Sequence, residues 1–294
     1  MVDLLTPSRQ SLSLPSSGNG YIPAVFIYYP LPYRDPKNRY TKTVRDITLV
    51  MTSDIGCPYG KMGRSLLTLI ATEAVTNRDP YIPLGRIADV FPRLGLQETG
   101  GKRGTIGLAA NQLHRIANTH VDLRQPRHRG FEELHFDFTV RDAIYWAAIS
   151  SSNEVNDPLL PPDTDLDTKK SYLNLSAEFF AYLMEHAVPI LLEPYFAIRS
   201  PREQDVFAWV VRRLWNLPSE RLVSWEDLYE QFGPIDRTNK PRFRNEVGTY
   251  LYNIKTNIYH EADIAITQEG VVLRPSPPLV DPTKNGRNGA GYLP

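Results

Sequence analysis

Two short stretches concentrate the side chains that bind phosphate and read base edges. Between residues 101 and 130 stand Lys102, Arg103, Arg115, Arg124, Arg127 and Arg129, opposed only by Asp122. Between 237 and 256 stand Arg237, Lys240, Arg242, Arg244 and Lys255, opposed only by Glu246. Ammonium and guanidinium groups neutralise phosphates and set affinity. Thr105, Asn111 and Gln112 are interleaved with the first set, and Asn245 and Thr249 with the second. Hydroxyls and amides of this kind hydrogen-bond to base edges. The chemistry on offer is recognition of double-stranded DNA, with no bond made or broken. For either stretch alone, a solvated basic helix face is the competing reading. Two such helices at matching places in two similar modules weaken it.

Other candidate chemistries fail on residue type or spacing. The glycine-bearing run from Gly95 to Arg103 has Gly101 where a phosphate loop needs Lys, and no Ser or Thr follows Lys102. No ATPase activity is expected, so any helicase must be borrowed. G-x-S-x-G, H-E-x-x-H and paired-cysteine motifs do not occur. His114, His120 and His128 lie close together in sequence, but scattered spacing argues against a metal site. Tyr59 lacks the His-hydrophobic-His partner of a DNA-cleaving tyrosine. Asp163, Asp165 and Asp167 could make a nuclease carboxylate site, and their setting reads instead as a solvated linker. No catalytic residue, metal or cofactor is therefore expected.

Composition sets the bounds. With 294 residues, 41% apolar and 22% charged, the chain has the make-up of a globular protein of two domains. Lys plus Arg balance Asp plus Glu at 33 each, so only the local distribution of charge favours DNA. The single cysteine, Cys57, fits a reducing, cytoplasmic setting. No apolar run is long enough to span a membrane. The N-terminus does not read as a signal peptide.

The elements that would position these residues follow from periodicity. DITLVMTS, 46–53, reads as a strand, and 21–33 as an extended aromatic and Pro-rich segment. A helix from Met62 to Arg78 is apolar on more than one face, and Glu73 within its apolar arc needs an ion-pair partner. YIPLG, 81–85, is a short strand, and 86–95 a short helix interrupted by Pro92. The helix 105–120 places Ile106, Ala109, Ala110, Leu113 and Ala117 on one face and Asn111, Gln112, Arg115 and Asn118 on the other. Two strands, 121–125 and 131–140, flank the basic turn PRHRG. That order is the order of a winged helix-turn-helix. In the second half, helices are expected at 175–186, at 201–217 (capped by Ser200, with Pro201 at the first position), at 224–233 and at 240–260. The last has Phe243, Val247, Tyr250, Leu251, Ile254 and Ile258 as its apolar stripe. Asn245, Thr249, Tyr252 and Thr256 form its opposite face. A hairpin over 262–276 follows. The expected fold is α+β, with two tandem winged helix-turn-helix domains at 21–149 and 172–280. A disordered arm (1–20), an acidic Pro-rich linker (150–171) and a disordered tail (281–294) complete it.

The runs GCPYGKMGRSLLTLIATEAV, IPLG and LGLQETGGKRGTIGLAANQLHRI resemble the plasmid-encoded RepA replication initiator family. YLNLSAEFFAYLMEHAVPI, SPREQDVFAWVVRRL, SWEDLYEQFG, FRNEVGTYLYNI and GVVLRPSPP continue the resemblance, which spans roughly 24–278. It implies binding to iteron repeats at a plasmid origin, recruitment of a host initiator and replicative helicase, copy control through autorepression, and exchange between monomer and homodimer. It assigns DNA contact to the loop with Lys102 and Arg103 and to Asn111, Gln112 and Arg115 in the first module, and to Arg242, Arg244, Asn245 and Thr249 in the second. The distribution of charge and polar side chains adds Thr105, the wing residues Arg124, Arg127 and Arg129, and Lys240 and Lys255 as expected contacts. The helix GLAANQ carries fewer basic residues than the family pattern. A winged-helix transcriptional repressor without a replication role shares the same chemistry and is the alternative.

Overall fold

The computed structural model describes residues 18–85, 91–95, 99, 104–127, 130–145, 171–233 and 239–280. Over these residues the protein mixes helix and sheet. The first half runs β1 (Asn19–Pro23), α1 (Ala24–Tyr28), β2 (Arg39–Val44), β3 (Ile47–Thr52), α2 (Gly60–Asn77), β4 (Tyr81–Gly85), α3 (Thr105–Ala117), β5 (His120–Arg127), β6 (Gly130–Asp137) and β7 (Thr139–Tyr145). The second runs β8 (Ser171–Leu175), α4 (Ala177–His186), β9 (Ala187–Leu191), α5 (Leu192–Ala197), α6 (Pro201–Leu214), β10 (Arg221–Ser224), α7 (Trp225–Phe232), α8 (Lys240–Asn257), β11 (Ile264–Ile266) and β12 (Gly270–Leu273).

Strand order shows how the halves interlock. The sheets are β1-β9, β2-β3-β5-β6, β4-β8-β7 and β10-β12-β11. β1 pairs antiparallel with β9 from Asn19–Leu191 to Pro23–Ala187, so Asn19 and Gly20, assigned to the N-terminal arm, stand in a strand. β8 is the central strand between β4 and β7. Ser171, the last residue assigned to the linker, already belongs to β8. The rest of that linker, residues 1–17 and the tail from 281 lie outside the described residues.

Helix starts follow the capping chemistry read from sequence. Ser176 Oγ accepts from Phe179 N (3.0 Å) and Ser200 Oγ accepts from Glu203 N (3.3 Å). Each satisfies an amide left orphaned at a helix start. α1 differs from the extended course expected for 21–33. It has no side-chain cap, and burial of Ala24, Val25, Phe26 and Ile27 holds it instead. Here tertiary packing overrides local propensity. β2 and β10 were not anticipated, and each completes a sheet.

α2 is the centre of the molecule, with apolar residues buried around its whole circumference. Two polar residues inside it are paired. Glu73 forms the expected ion pair, with Arg93, and both side chains are buried. Arg64, 3% exposed, meets Asp205 of α6, 6% exposed. Arg64 Nε donates to Oδ1 and Nη2 to Oδ2, both at 2.8 Å. The remaining guanidinium hydrogens go to the carbonyls of Gly60 (3.0 Å), Pro32 (3.2 Å) and Leu31. Burial pulls the guanidinium pKa down. The Asp205 charge and its hydrogen bonds outweigh that, raising it above the ordinary arginine value.

Removing one partner leaves the other buried and unpaired. Asp205→Ala is expected to cost about 3–5 kcal/mol of unfolding free energy, measured by urea denaturation. The double change Arg64→Met with Asp205→Leu should cost far less, because no orphaned charge remains.

Candidate nucleic-acid interface

α8 presents the most complete set of expected contact residues. Asn239 caps it, its Oδ1 accepting from Arg242 N at 3.1 Å. Phe243, Val247, Leu251 and Ile254 form the buried stripe. Asn245, Thr249 and Tyr252 face solvent on the opposite side, and Arg242 and Arg244 are exposed on its flanks. Among the described residues, neither Arg242 nor Arg244 has a carboxylate partner, and the Arg244 guanidinium lies 6.0 Å from the Trp225 ring centre. Lys240 is tied to Glu226 at 2.6 Å. Lys255 is exposed, and its Nζ reaches the Ile264 carbonyl at 3.5 Å.

Glu246, the one acid in this stretch of sequence, is half-buried and engaged on the inner flank of the helix. Its Oε2 accepts from Arg202 at 2.7 Å and its Oε1 from the Tyr250 hydroxyl at 2.6 Å. The Tyr250 hydroxyl also pairs with Ser200 Oγ (3.0 Å), and Asn253 donates to Glu203 (3.3 Å). This polar seam fixes α8 against α6 and occupies Glu246.

A hollow runs between α8 and the β11–β12 hairpin. Trp225, Gly248 and Gln268 line it with Arg244, Asn245 and Thr249. Tyr252, 67% exposed, and Ile266, 50% exposed, also line it and were not among the expected contacts. Tyr252 was legible as a member of the polar helix face, one turn beyond Thr249. Ile266 was not, because only strand register decides which hairpin residue turns outward.

The first half arranges its expected residues differently. Asn111 is exposed on α3. Thr105 begins that helix, its Oγ1 accepting from Thr99 N at 2.9 Å. Gln112 is fully buried, which corrects its place on the outer face. Its Oε1 accepts from Tyr59 N (2.9 Å) at the start of α2. A Cβ at Gly63 would lie 3.0 Å from that oxygen, so the two helices approach closely there. The buried face of α3 is Ala109, Gln112, Leu113 and Ile116, rotated from the expected stripe.

Arg115 is also committed to the protein. Nη1 and Nη2 donate to Asp35 Oδ1 (2.8 Å) and Oδ2 (3.1 Å), and Nη1 to the Cys57 carbonyl (3.1 Å). The group stacks 5.0 Å from the Tyr59 ring centre. Gly56, at φ +107°, lets the loop pass, since a Cβ there would stand 2.7 Å from Nη1. Cys57 beside it is buried, which pushes its thiol up to about 11 and keeps it unreactive.

The expected wing is seated in a larger sheet. β5 pairs with β3 as well as with β6. Arg124 is half exposed and contacts Glu133 at 3.2 Å. Arg127 ends β5; its side chain, with Lys102, Arg103 and Arg129, lies outside the described residues. His114 is exposed on α3 and His128 lies outside the described residues. His120 stands beside His135 instead, with ring centres 6.3 Å apart.

The Arg115 clamp has a pH signature. Its hydrogen bonds hold the Asp35 carboxyl below the usual carboxylate range. Stability from a depressed carboxyl is complete above its ordinary pKa, near 4. It is lost as pH falls through the lowered value. Arg115→Met should therefore lower stability at pH 7 and flatten the loss of stability on acidification, measured by urea unfolding from pH 7 to pH 3. It should leave DNA affinity within about twofold of the parent chain, because the side chain is already engaged.

Comparison with known proteins gives the following. No curated protein sequence matches the chain. A crystal structure of a selenomethionine derivative of domains 2 and 3 of RctB shares its fold at a TM-score of 0.52 and 16% identity, covering 86% of this chain and 98% of that one. A second structure of RctB domains 2–3 aligns at 0.48 and 15% identity, over 84% and 94%. Among the described residues no helix is long and apolar enough to cross a membrane. The family model for plasmid-encoded RepA protein matches residues 57–227, from Cys57 through the start of α7, and by that match the chain belongs to the plasmid-encoded RepA family.

Proposed function

We propose that this chain initiates plasmid replication by binding origin double-stranded DNA, with α8 in the major groove and the β11–β12 hairpin against the adjoining backbone. The observation that carries the reading is the outer face of α8. There, among the described residues, Arg242 and Arg244 stand without acid partners on the flanks of Asn245 and Thr249, on a helix anchored by a buried stripe. A recognition helix needs that combination of rigid seating, free cations for phosphate and short polar side chains for base edges. Tyr252 and Ile266 add apolar surface that can meet a thymine methyl.

The second half has the element order of a winged helix-turn-helix: α6, β10, α7, α8 and the β11–β12 hairpin, with β10 joining that hairpin in one sheet. The first half has α2, β4, a helical stretch at 91–93, α3 and the β5–β6 hairpin in a similar order, but β4 pairs with β8 and not with the hairpin. We assign it a supporting role: phosphate contacts from Lys102, Arg103, Arg124, Arg127 and Arg129, with Thr105 and Asn111 nearby. Iteron repeats as the target, recruitment of a host initiator and helicase, and a dimeric repressing state belong to the same proposal and rest on the family.

Charge reversal at Arg242 and Arg244 together should abolish specific binding in a gel shift against the plasmid's upstream region, with the circular dichroism spectrum unchanged. Unaltered origin affinity would remove α8 from the interface. Asn245→Ala or Thr249→Ala should relax specificity at single base pairs by about 1–3 kcal/mol. Lys255→Ala should instead weaken all sequences alike and flatten the salt dependence by about one charge. A plasmid carrying this gene and its upstream repeats should replicate autonomously. Binding without replication would leave a transcriptional repressor.

A further inference from the structure

The four-stranded sheet has one face in the core and one outside. Register makes the division plain. Leu49, Leu123 and Leu134 lie in one row and Met51, Val121 and Phe136 in another, on the core side. The alternate rows carry Val50, Asp122 and His135, and Thr52, His120 and Asp137, on the outer side. His120 and Asp122 are two residues apart on β5, and His135 is the direct cross-strand partner of Asp122.

The hydrogen-bond pattern on this face is uneven. His120 Nε2 lies 3.0 Å from Asp122 Oδ1, and His135 Nδ1 contacts the same oxygen. The far nitrogens are held by other carboxylates: His120 Nδ1 by Asp137 at 2.8 Å, and His135 Nε2 by Glu133 at 3.0 Å. A neutral imidazole has one N–H and one lone pair. If the N–H of each ring serves its outer carboxylate, both inner lone pairs point at a carboxylate oxygen. Acceptors facing an acceptor need a cation between them. Two ring protons meet that need, and so does one divalent ion.

We propose that His120, Asp122 and His135 form a binding site for a divalent first-row transition ion, with zinc as the fitting probe. Two imidazoles and a carboxylate without thiolate suit such ions. The candidate ligand atoms all lie within 4.8 Å of one another. Zinc with ligands at about 2.1 Å in a tetrahedron needs them about 3.4 Å apart, so small side-chain rotations suffice. Asp137 and Glu133 already stand where carboxylates orient metal-bound histidines in known sites. A water would fill the fourth position. The ion would staple β5 to β6 and neutralise Asp122, the one acid in the first cationic stretch. The site is separate from α8 and does not depend on the DNA-binding proposal.

The test is calorimetric titration of the full, metal-stripped chain with zinc chloride at neutral pH, with cobalt as a spectroscopic probe. One equivalent should bind with a micromolar Kd, and cobalt should show the intense ligand-field bands of a tetrahedral site. His120→Ala and His135→Ala should each weaken zinc by at least about tenfold, and Asp137→Ala by about 10–100-fold. His260→Ala, which alters an exposed histidine elsewhere, should change nothing. Circular dichroism of each variant checks that the sheet is intact. No saturable binding below about 1 mM, or binding that the two histidine variants leave unchanged, overturns the site and leaves two ring protons as the cation.

Discussion

A guanidinium and a carboxylate buried between α2 and α6 join the two halves of this protein. Arg64 and Asp205 are 141 positions apart in sequence and form a two-pronged ion pair in the core. Such a pair adds little net stability over well-packed apolar residues, but each member makes the other indispensable. Its worth here is positional. Arg64 also gathers the carbonyls of Leu31, Pro32 and Gly60, and its guanidinium lies over the Tyr33 ring at 4.9 Å. Arg202, one turn before Asp205 on α6, lies 4.8 Å from that ring centre.

From Arg202 the same chain of contacts reaches the outer helix. Arg202 takes Glu246, and Glu246 takes Tyr250, so α8 is seated on α6 by groups whose own positions depend on α2. The consequence is electrostatic as well as mechanical. By engaging Glu246, the seam occupies the acid that the sequence of α8 supplies, while Arg242 and Arg244 face water. A helix with rigid seating and unpaired cations loses little freedom on meeting a polyanion.

The first half uses similar residue types in another way. Arg115, Gln112 and Glu73 are polar members of helices, and each is spent on internal order. Asn111 and Arg124 are exposed, Arg124 beside Glu133, and the hairpin that carries Arg124 is braced by β3. The halves resemble each other in element order, yet only the second joins its hairpin to the strand that follows its first helix.

Where a signal is local, the sequence carried it. Ser176 and Ser200 cap helices because a hydroxyl beside orphaned amides acts within one turn. The stripe from Phe243 to Ile254 was legible because a helix repeats every 3.6 residues and α8 is buried on one face only. Cationic clustering, family membership and the need of Glu73 for a partner were likewise written in residue type and order. Tertiary structure alone decided the rest. α3 touches neighbours on two sides, so periodicity could not tell that Gln112 faces α2 or that Arg115 reaches back 80 positions to Asp35. His135 joined His120 because strand register, not spacing, brings residues opposite one another. Long-range partners are chosen by the packing of whole elements, and no window of sequence contains both sides of that contact.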